Sequence, residues 1–193
     1  MRITGGEFCG RALVVPRTDA IRPTQDRVRA ALFNILSPVV AGSEFLDLFA
    51  GTGAVGLEAL SRGARRATFV EADSRHLAAL RSNLENVGAS DRADVVRADA
   101  YRWVANYSGE GFALAFADPP YALGEERGYA SVLATLASRG VVREGGLFVA
   151  EMTAVQRTEE TPGWELVRDR TYGRTRLCIW RLEEETQRLP KPT

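Results

Sequence analysis

The chain has 193 residues, a formal net charge of zero, two cysteines and one histidine. That length fits one α/β domain with a full core and leaves little chain for a large recognition domain beside it. No run of about 18 apolar residues occurs, which excludes a transmembrane helix; zero net charge argues against simple electrostatic capture of nucleic acid; and Cys9, Cys178 and His76 cannot make a zinc site of the usual spacing.

The first residues lack the charged-then-apolar pattern of a signal peptide. A cytoplasmic monomer with reduced thiols, no metal and no membrane contact is expected. Charge is unevenly spread, because residues 1–40 hold six arginines against three acids. A basic head on an acidic body is compatible with a local nucleic-acid contact, and equally with an ordinary solvated surface.

Residues 2–16, "RITGGEFCGRALVVP", read as a Gly-containing β-hairpin or bulged strand pair. "TQDRVRAALFNIL" then reads as a helix, with Thr24 as N-cap, Val28, Leu32, Ile35 and Leu36 on one face, and Pro38 as its stop. Five strands follow, and helical segments alternate with them. "EFLDLFA" enters a Gly-rich turn, and the helix "AVGLEALSRG" stops at Gly63. The strand "ATFVEAD" precedes a helix over Ser74–Val87 that stops at Gly88. "ADVVRAD" leads to the short helix "AYRWVANY", and "GFALAFADPPY" is a fourth strand. The helix "YASVLATLASRG" precedes the fifth, "GGLFVAEM". "WELVRDRTYGRTRLCIWRL" alternates on both sides of Tyr172-Gly173 and predicts a closing antiparallel hairpin. The tail from Glu183 is polar.

This alternation predicts a Rossmann-like α/β fold: a mostly parallel seven-stranded sheet with an antiparallel C-terminal hairpin. The predicted division is an N-terminal β-hairpin extension over 1–22, the main domain over 23–182 and a tail over 183–193. Ligands in such sheets bind at the carboxyl ends of the strands. Those ends are Asp47–Gly53, Glu71–Asp73, Asp99 and Asp118–Tyr121, and all four carry acids.

The segment "LDLFAGTGAVG" contains Gly51-x-Gly53-x-x-Gly56, a literal dinucleotide fingerprint. Glu71 follows about 20 residues later, where an acid accepts both hydroxyls of an adenosine ribose. NAD and S-adenosylmethionine both carry adenosine, so Glu71 does not separate them. Asp47 helps, since a carboxylate just before the loop repels a pyrophosphate and suits the cationic methionine end of S-adenosylmethionine. Asp99 can accept from the adenine amino group, although a helix N-cap explains it equally well. Together these acids favour S-adenosylmethionine.

Asp118-Pro119-Pro120-Tyr121 ends the fourth strand. Proline lacks an N–H and pushes the residue before it into extended conformation. The chain therefore leaves the strand stiff, with a carboxylate and a nearby carbonyl as two acceptors. That pair matches a planar NH₂ group, and Tyr121 offers a flat face for a base, worth about 1–3 kcal/mol. Held this way, an exocyclic amine can aim its lone pair at a sulfonium methyl while Asp118 stabilises the charge developing on nitrogen. The base must be unstacked to reach such a pocket.

In its order of Gly loop, Glu71, Asp99 and Asp118-Pro119-Pro120-Tyr121, the chain resembles class I methyltransferases acting on amino groups. More narrowly, it is similar to the RsmD family of 16S ribosomal RNA guanine-N2 methyltransferases. "RITGGEFCGRAL", "RPTQDRVRAALFNIL", "LDLFAGTGAVGLEALSRGA" and "TYGRTRL" carry the likeness, which runs from about Met1 to Leu182. Ala30 stands where that family frequently has an acid. The resemblance implies methyl transfer from S-adenosylmethionine to N2 of a guanine in 16S ribosomal RNA, within a partly or fully assembled small subunit. It implies cofactor contacts from Asp47, Phe49, Gly51, Thr52, Gly53, Glu71, Ala72, Asp99 and Ala100. It places the guanine against Asp118, Pro119, Pro120 and Tyr121, and RNA backbone against Arg11, Arg22 and Arg29.

Two other functions fit the motifs. One is an amino methyltransferase acting on DNA adenine or a protein amide, and the other is an NAD-binding module built on the same Gly loop. His76, Trp103, Trp164, Trp180 and Cys178 are expected to pack rather than to react.

Overall fold

The structure, a computed structural model, describes residues 1–16, 23–119, 129–158 and 160–184. The chain folds as two compact units, Met1–Ala100 and Tyr101–Thr193.

In the first unit, β1 (Glu44–Leu48), β2 (Arg66–Glu71) and β3 (Ala93–Arg97) form a parallel sheet in the order β3-β2-β1. The register pairs Asp47 with Phe69 and Glu71 with Arg97. After Glu44, every residue of β1 is buried, as expected of a parallel strand covered on both faces. Among the described residues this unit carries the α-helices α1 (Pro23–Val40), α2 (Ala54–Ser61) and α3 (Ser74–Val87), and a short 3-10 helix, Ser90–Arg92. Phe33, Leu36, Phe45, Leu57, Leu60 and Phe69 fill its core.

Helix α3 has the predicted ends. Asp73 accepts from the N–H groups of Arg75 and His76, and Gly88 closes the helix in left-handed conformation. Helix α1 departs from expectation at both ends. It begins at Pro23, so Thr24 lies inside it rather than capping it; proline suits a first helical position because that N–H has no partner in any case. Pro38 also lies inside, two residues before the end. Its missing donor is made good locally, since Ser37 Oγ donates to the Asn34 carbonyl at 3.0 Å. Phe33 is fully buried on this helix, whereas Ile35 is half-buried.

The N-terminal segment pairs antiparallel, as a hairpin or bulged strand pair would, but without regular strands. A single antiparallel bridge, Arg2 to Ala12, stands where two strands were expected. A bend at Gly5-Gly6 and a turn over Glu7–Gly10 interrupt the ladder; backbone bonds such as Ile3 N to Arg11 O and Leu13 N to Met1 O remain, and side chains add to them. Ile3, Phe8 and Leu13 are buried. Ser61 Oγ accepts from Phe8 N at 2.9 Å and donates to Gly5 O at 2.6 Å. Gly6 has φ 78°, and a Cβ there would lie 1.9 Å from the Ser61 carbonyl oxygen. No other residue can sit there without moving α2.

The second unit holds α4 (Ala100–Ala105, from its second residue), β4 (Phe112–Ala117), α5 (Tyr129–Ser138), β5 (Val142–Thr153), β6 (Trp164–Tyr172) and β7 (Thr175–Leu182). Here β4 and β5 run parallel, while β5 with β7 and β7 with β6 run antiparallel. β5 starts earlier than the sequence suggested, and its register against β4 shifts between Phe112 and Leu114. The closing hairpin turns at Gly173-Arg174, one residue later than predicted, so Tyr172 stays in β6. Trp164, Trp180, Phe148, Leu177 and Ile179 are buried, and Trp180 stacks between Phe148 and Tyr129. Cys178 is fully buried, which pushes its thiol up to about 11, as fits an inert packing residue. Seven strands, parallel apart from the C-terminal pairings, bear out the predicted fold class among the described residues. No described helix is long and apolar enough to cross a membrane.

Candidate functional site

The Gly loop follows β1 directly. Phe49 has φ 60°, a left-handed conformation that a bulky side chain adopts only when its surroundings impose it. Ala50 N donates to Val70 O at 3.1 Å, and Gly53 N donates to Ala50 O at 2.8 Å, closing the turn. Gly53 starts α2 from the left-handed region.

The three glycines do different work. A Cβ on Gly51 would meet nothing within 4 Å, so Gly51 serves its φ of 55° and leaves open space in front of the loop. A Cβ on Gly53 would lie 2.2 Å from Leu80 Cδ1, and one on Gly56 2.2 Å from the Phe69 ring. Gly56 therefore lets α2 pack on β2.

Two of the predicted acids are tied to this loop. Glu71 Oε2 accepts from Gly51 N at 2.7 Å, and its Oε1 accepts from Asp73 N at 2.7 Å. These bonds orient the carboxylate, and each oxygen keeps a second lone pair that a hydroxyl donor can use. Such a fixed carboxylate beside open space fits a ribose diol. Asp47 is 1% exposed, and its Oδ2 accepts from Gly56 N at 2.8 Å. It thus pins the first turn of α2, a duty the sequence reading did not assign. Thr52 is buried, and its carbonyl accepts from Asn83 Nδ2 at 3.0 Å. Ala72 and Asp99 are exposed beyond β2 and β3, and Ala100 is buried.

Asn83 and Glu58 escaped the sequence reading. Asn83 is fully buried; besides Thr52, it accepts from Val14 N at 2.7 Å and donates to Val14 O at 3.1 Å. It thereby joins the N-terminal segment to the Gly loop. Glu58 is also fully buried and accepts from Thr4 N, Thr4 Oγ1, Arg29 Nε and Arg62 Nε at 2.6–3.2 Å. Both are polar residues on otherwise apolar helical faces, which is the signal that could have found them.

Arg29 must be reassigned. It is 5% exposed, pairs with Glu58 at 3.2 Å and Asp26 at 2.9 Å, and also donates to the Arg2 carbonyl. Its guanidinium is spent inside the protein and does not face an RNA backbone. Arg11 is exposed and donates to Asn86 O at 2.8 Å, near the end of α3. Arg22 lies outside the described residues.

In the second unit, Asp118 and Pro119 leave the carboxyl end of β4, where Ala117 pairs with Ala150 of β5. Asp118 is half-buried and Pro119 buried. Pro120, Tyr121 and the Ala122–Gly128 loop lie outside the described residues. Tyr129 was not foreseen as part of this end of the sheet. It is 9% exposed, and its hydroxyl donates to Glu151 O at 3.0 Å. Burial first, and the Asp118 charge next, push its phenol far above the usual tyrosine range. Tyr129 is therefore a neutral phenol, and the Asp118 carboxylate reaches it electrostatically.

A family model described as conserved hypothetical protein 95 matches residues 1–181. "Ribosomal RNA small subunit methyltransferase D" of Escherichia coli K12 is 36% identical over 188 residues, spanning 96% of this chain and 91% of that one. "Putative rRNA methyltransferase YlbH" of Bacillus subtilis is 35% identical over 184 residues, 94% of this chain and 98% of that one. Among solved structures, the "putative methyltransferase yhhF" of Escherichia coli superposes with a TM-score of 0.83 at 36% identity, covering 95% of this chain and 98% of that one.

Proposed function

Because the chain belongs to the RsmD family of methyltransferases, we propose that it transfers a methyl group from S-adenosylmethionine to the N2 amine of a guanine in 16S ribosomal RNA, in the cytoplasm. Its architecture is the Rossmann-like class I methyltransferase fold. The reading is carried by two features, each within its own unit, in a chain of this family. One is a strand-end carboxylate, Glu71, held at 2.7 Å by the N–H of an open Gly loop; the other is Asp118-Pro119 at the end of β4.

The cofactor supplies an electrophilic methyl on a sulfonium. In this proposal Glu71 holds the ribose hydroxyls, Gly51 leaves the backbone open to the ligand, and Asp99 or Ala100 lies toward the adenine. Asp47 fixes the loop from behind through Gly56. Asp118 accepts a hydrogen bond from the guanine N2 amine and opposes the positive charge that grows there as the N–C bond forms. Pro119 stiffens the chain so that this acceptor stays aimed. Pro120 and Tyr121 complete the base contact. Positioning of this kind supplies up to about 7–11 kcal/mol in the best cases. When bound, S-adenosylmethionine would give up its methyl and leave as S-adenosylhomocysteine, and the N2 proton would pass to solvent once the N–C bond has formed.

The test uses the whole protein, isotope-labelled S-adenosylmethionine and small ribosomal subunits from cells lacking the modification. Label in N2-methylguanosine of 16S RNA is expected. Label in N6-methyladenine, or none in RNA, would overturn the assignment.

A further inference from the structure

We propose that the tip of the β6–β7 hairpin is a second RNA-contacting surface, which grips backbone phosphates flanking the target nucleotide. This rests on the ribosomal RNA reading above. Residues 164–182 contain five arginines and two acids, and the acids are already matched. Asp169 takes a two-pronged bond from Arg176 at 2.8 and 2.6 Å, and Glu165 faces Arg181 at 3.6 Å. Arg168, Arg170 and Arg174 remain. All three are exposed, and none forms an ion pair with a described carboxylate. Among the described residues, Arg168 and Arg170 donate to neighbouring backbone carbonyls, Val167 O and Asp169 O. Two residues apart on one strand, they share a face.

The register puts this charge at the ligand-binding edge. Ala117, the residue before Asp118, pairs with Ala150, which pairs with Cys178, which pairs with Asp169. One step further along, Arg170 pairs with Leu177, which pairs with Glu151. Arg170 is therefore level with Asp118. The hairpin continues past it to Tyr172, Gly173 and Arg174, beside Thr153 at the very end of β5. With strands about 4.8 Å apart, three spacings put β6 roughly 14 Å from β4. A nucleic acid seated at Asp118 would then pass beside an exposed arginine cluster without ion pairs to described carboxylates, and a half-buried tyrosine. Arginine is the side chain suited to that partner, because its planar fork matches phosphate oxygens. The competing role is protection of an edge strand, since β6 is the outermost strand and charge there deters pairing with another chain.

The experiment measures binding of unmodified small subunits to the intact protein, with S-adenosylhomocysteine present, over a range of KCl concentrations. Methyl transfer is recorded separately. In the R168A/R170A/R174A variant, the slope of log K against log salt should shrink by about one for each arginine. The matching lysine variant should recover most of the slope. Affinity for S-adenosylhomocysteine should be unchanged, which confirms that the variant folds. Should the triple variant fail that control, the single turn substitution R174E should show the same weakening on a smaller scale. An unchanged slope and unchanged subunit binding would overturn the proposal, and new self-association in that variant would assign the arginines to edge protection. Failure of the parent protein to methylate N2 of guanine would sink the ribosomal RNA reading, while the salt slopes would still decide whether this surface binds RNA.

Discussion

Asp118 and Arg29 were both picked out as functional residues, and burial separates them. Asp118 stays half-exposed at a strand end with its charge felt by Tyr129. Asp118→Ala is expected to keep affinity for S-adenosylhomocysteine and lose nearly all turnover. Paired calorimetry and label incorporation check this, and near-normal turnover would remove Asp118 from the mechanism. Arg29 is a structural cation. Its loss leaves the fully buried Glu58 carboxylate without one of its two arginines, although Arg62 remains at 2.9 Å. Breaking a buried pair costs about 3–5 kcal/mol, and the surviving partner places Arg29→Ala near the lower bound. Denaturant unfolding reads this directly, and a loss under about 1 kcal/mol would show that the pair contributes little. Subunit binding by whatever folded Arg29→Ala protein is obtained should be unaltered.

At the scale of elements, the Gly loop separates packing from ligand space. Gly56→Ala forces a methyl into the fully buried Phe69 ring. Overpacking of that kind costs about 1–3 kcal/mol. Gly51→Ala meets no atom and bears only the strain of positive φ, about 1–2 kcal/mol for an L residue. Gly51→Ala is therefore expected to weaken S-adenosylhomocysteine binding more than it lowers stability, with the opposite balance for Gly56→Ala. Thermal unfolding with and without the ligand distinguishes them, and equal behaviour would refute the division of labour. Most elements were legible because local rules agreed with tertiary ones: Asp73 and Gly88 bound α3, and Gly63 follows α2. Pro38 misled because its lost backbone bond is replaced by the Ser37 hydroxyl, a substitution no periodicity reveals. The N-terminal segment misled because it is shaped by Glu58, Ser61 and Asn83, all more than 50 positions away. The strand-end acids could be read from the sequence, but the backbone donors they accept from could not.

At the scale of the whole molecule, a net charge of zero conceals a set of tightly held carboxylates. Hydrogen bonds from Arg176 to Asp169, from Arg66 to Asp94 and from Arg75 to Asp73 hold all three acids below their usual range. A carboxylate with a lowered folded pKa contributes stability that is present above its unfolded value, 3.8, and is lost as pH falls below it. The urea midpoint should be nearly flat between about pH 7 and 5 and drop below about pH 4. Asp169→Asn should flatten that acid limb. A midpoint that rises on acidification would contradict the assignment.

The tethering of the N-terminal segment also has a consequence for the order in which the protein comes into being. Val14 finds its partner in Asn83, 69 positions later, and Thr4 finds Glu58 after 54. At about 5–20 residues per second of synthesis, Val14 is made roughly 3–14 s before Asn83 exists. Meanwhile the segment has one bridge and a few backbone bonds of its own, and lacks the side-chain partners that lie later in the chain. The earliest-born part of the first unit is thus among the last to find its place, and the Gly loop gains its Asn83 brace to Val14 only at that moment.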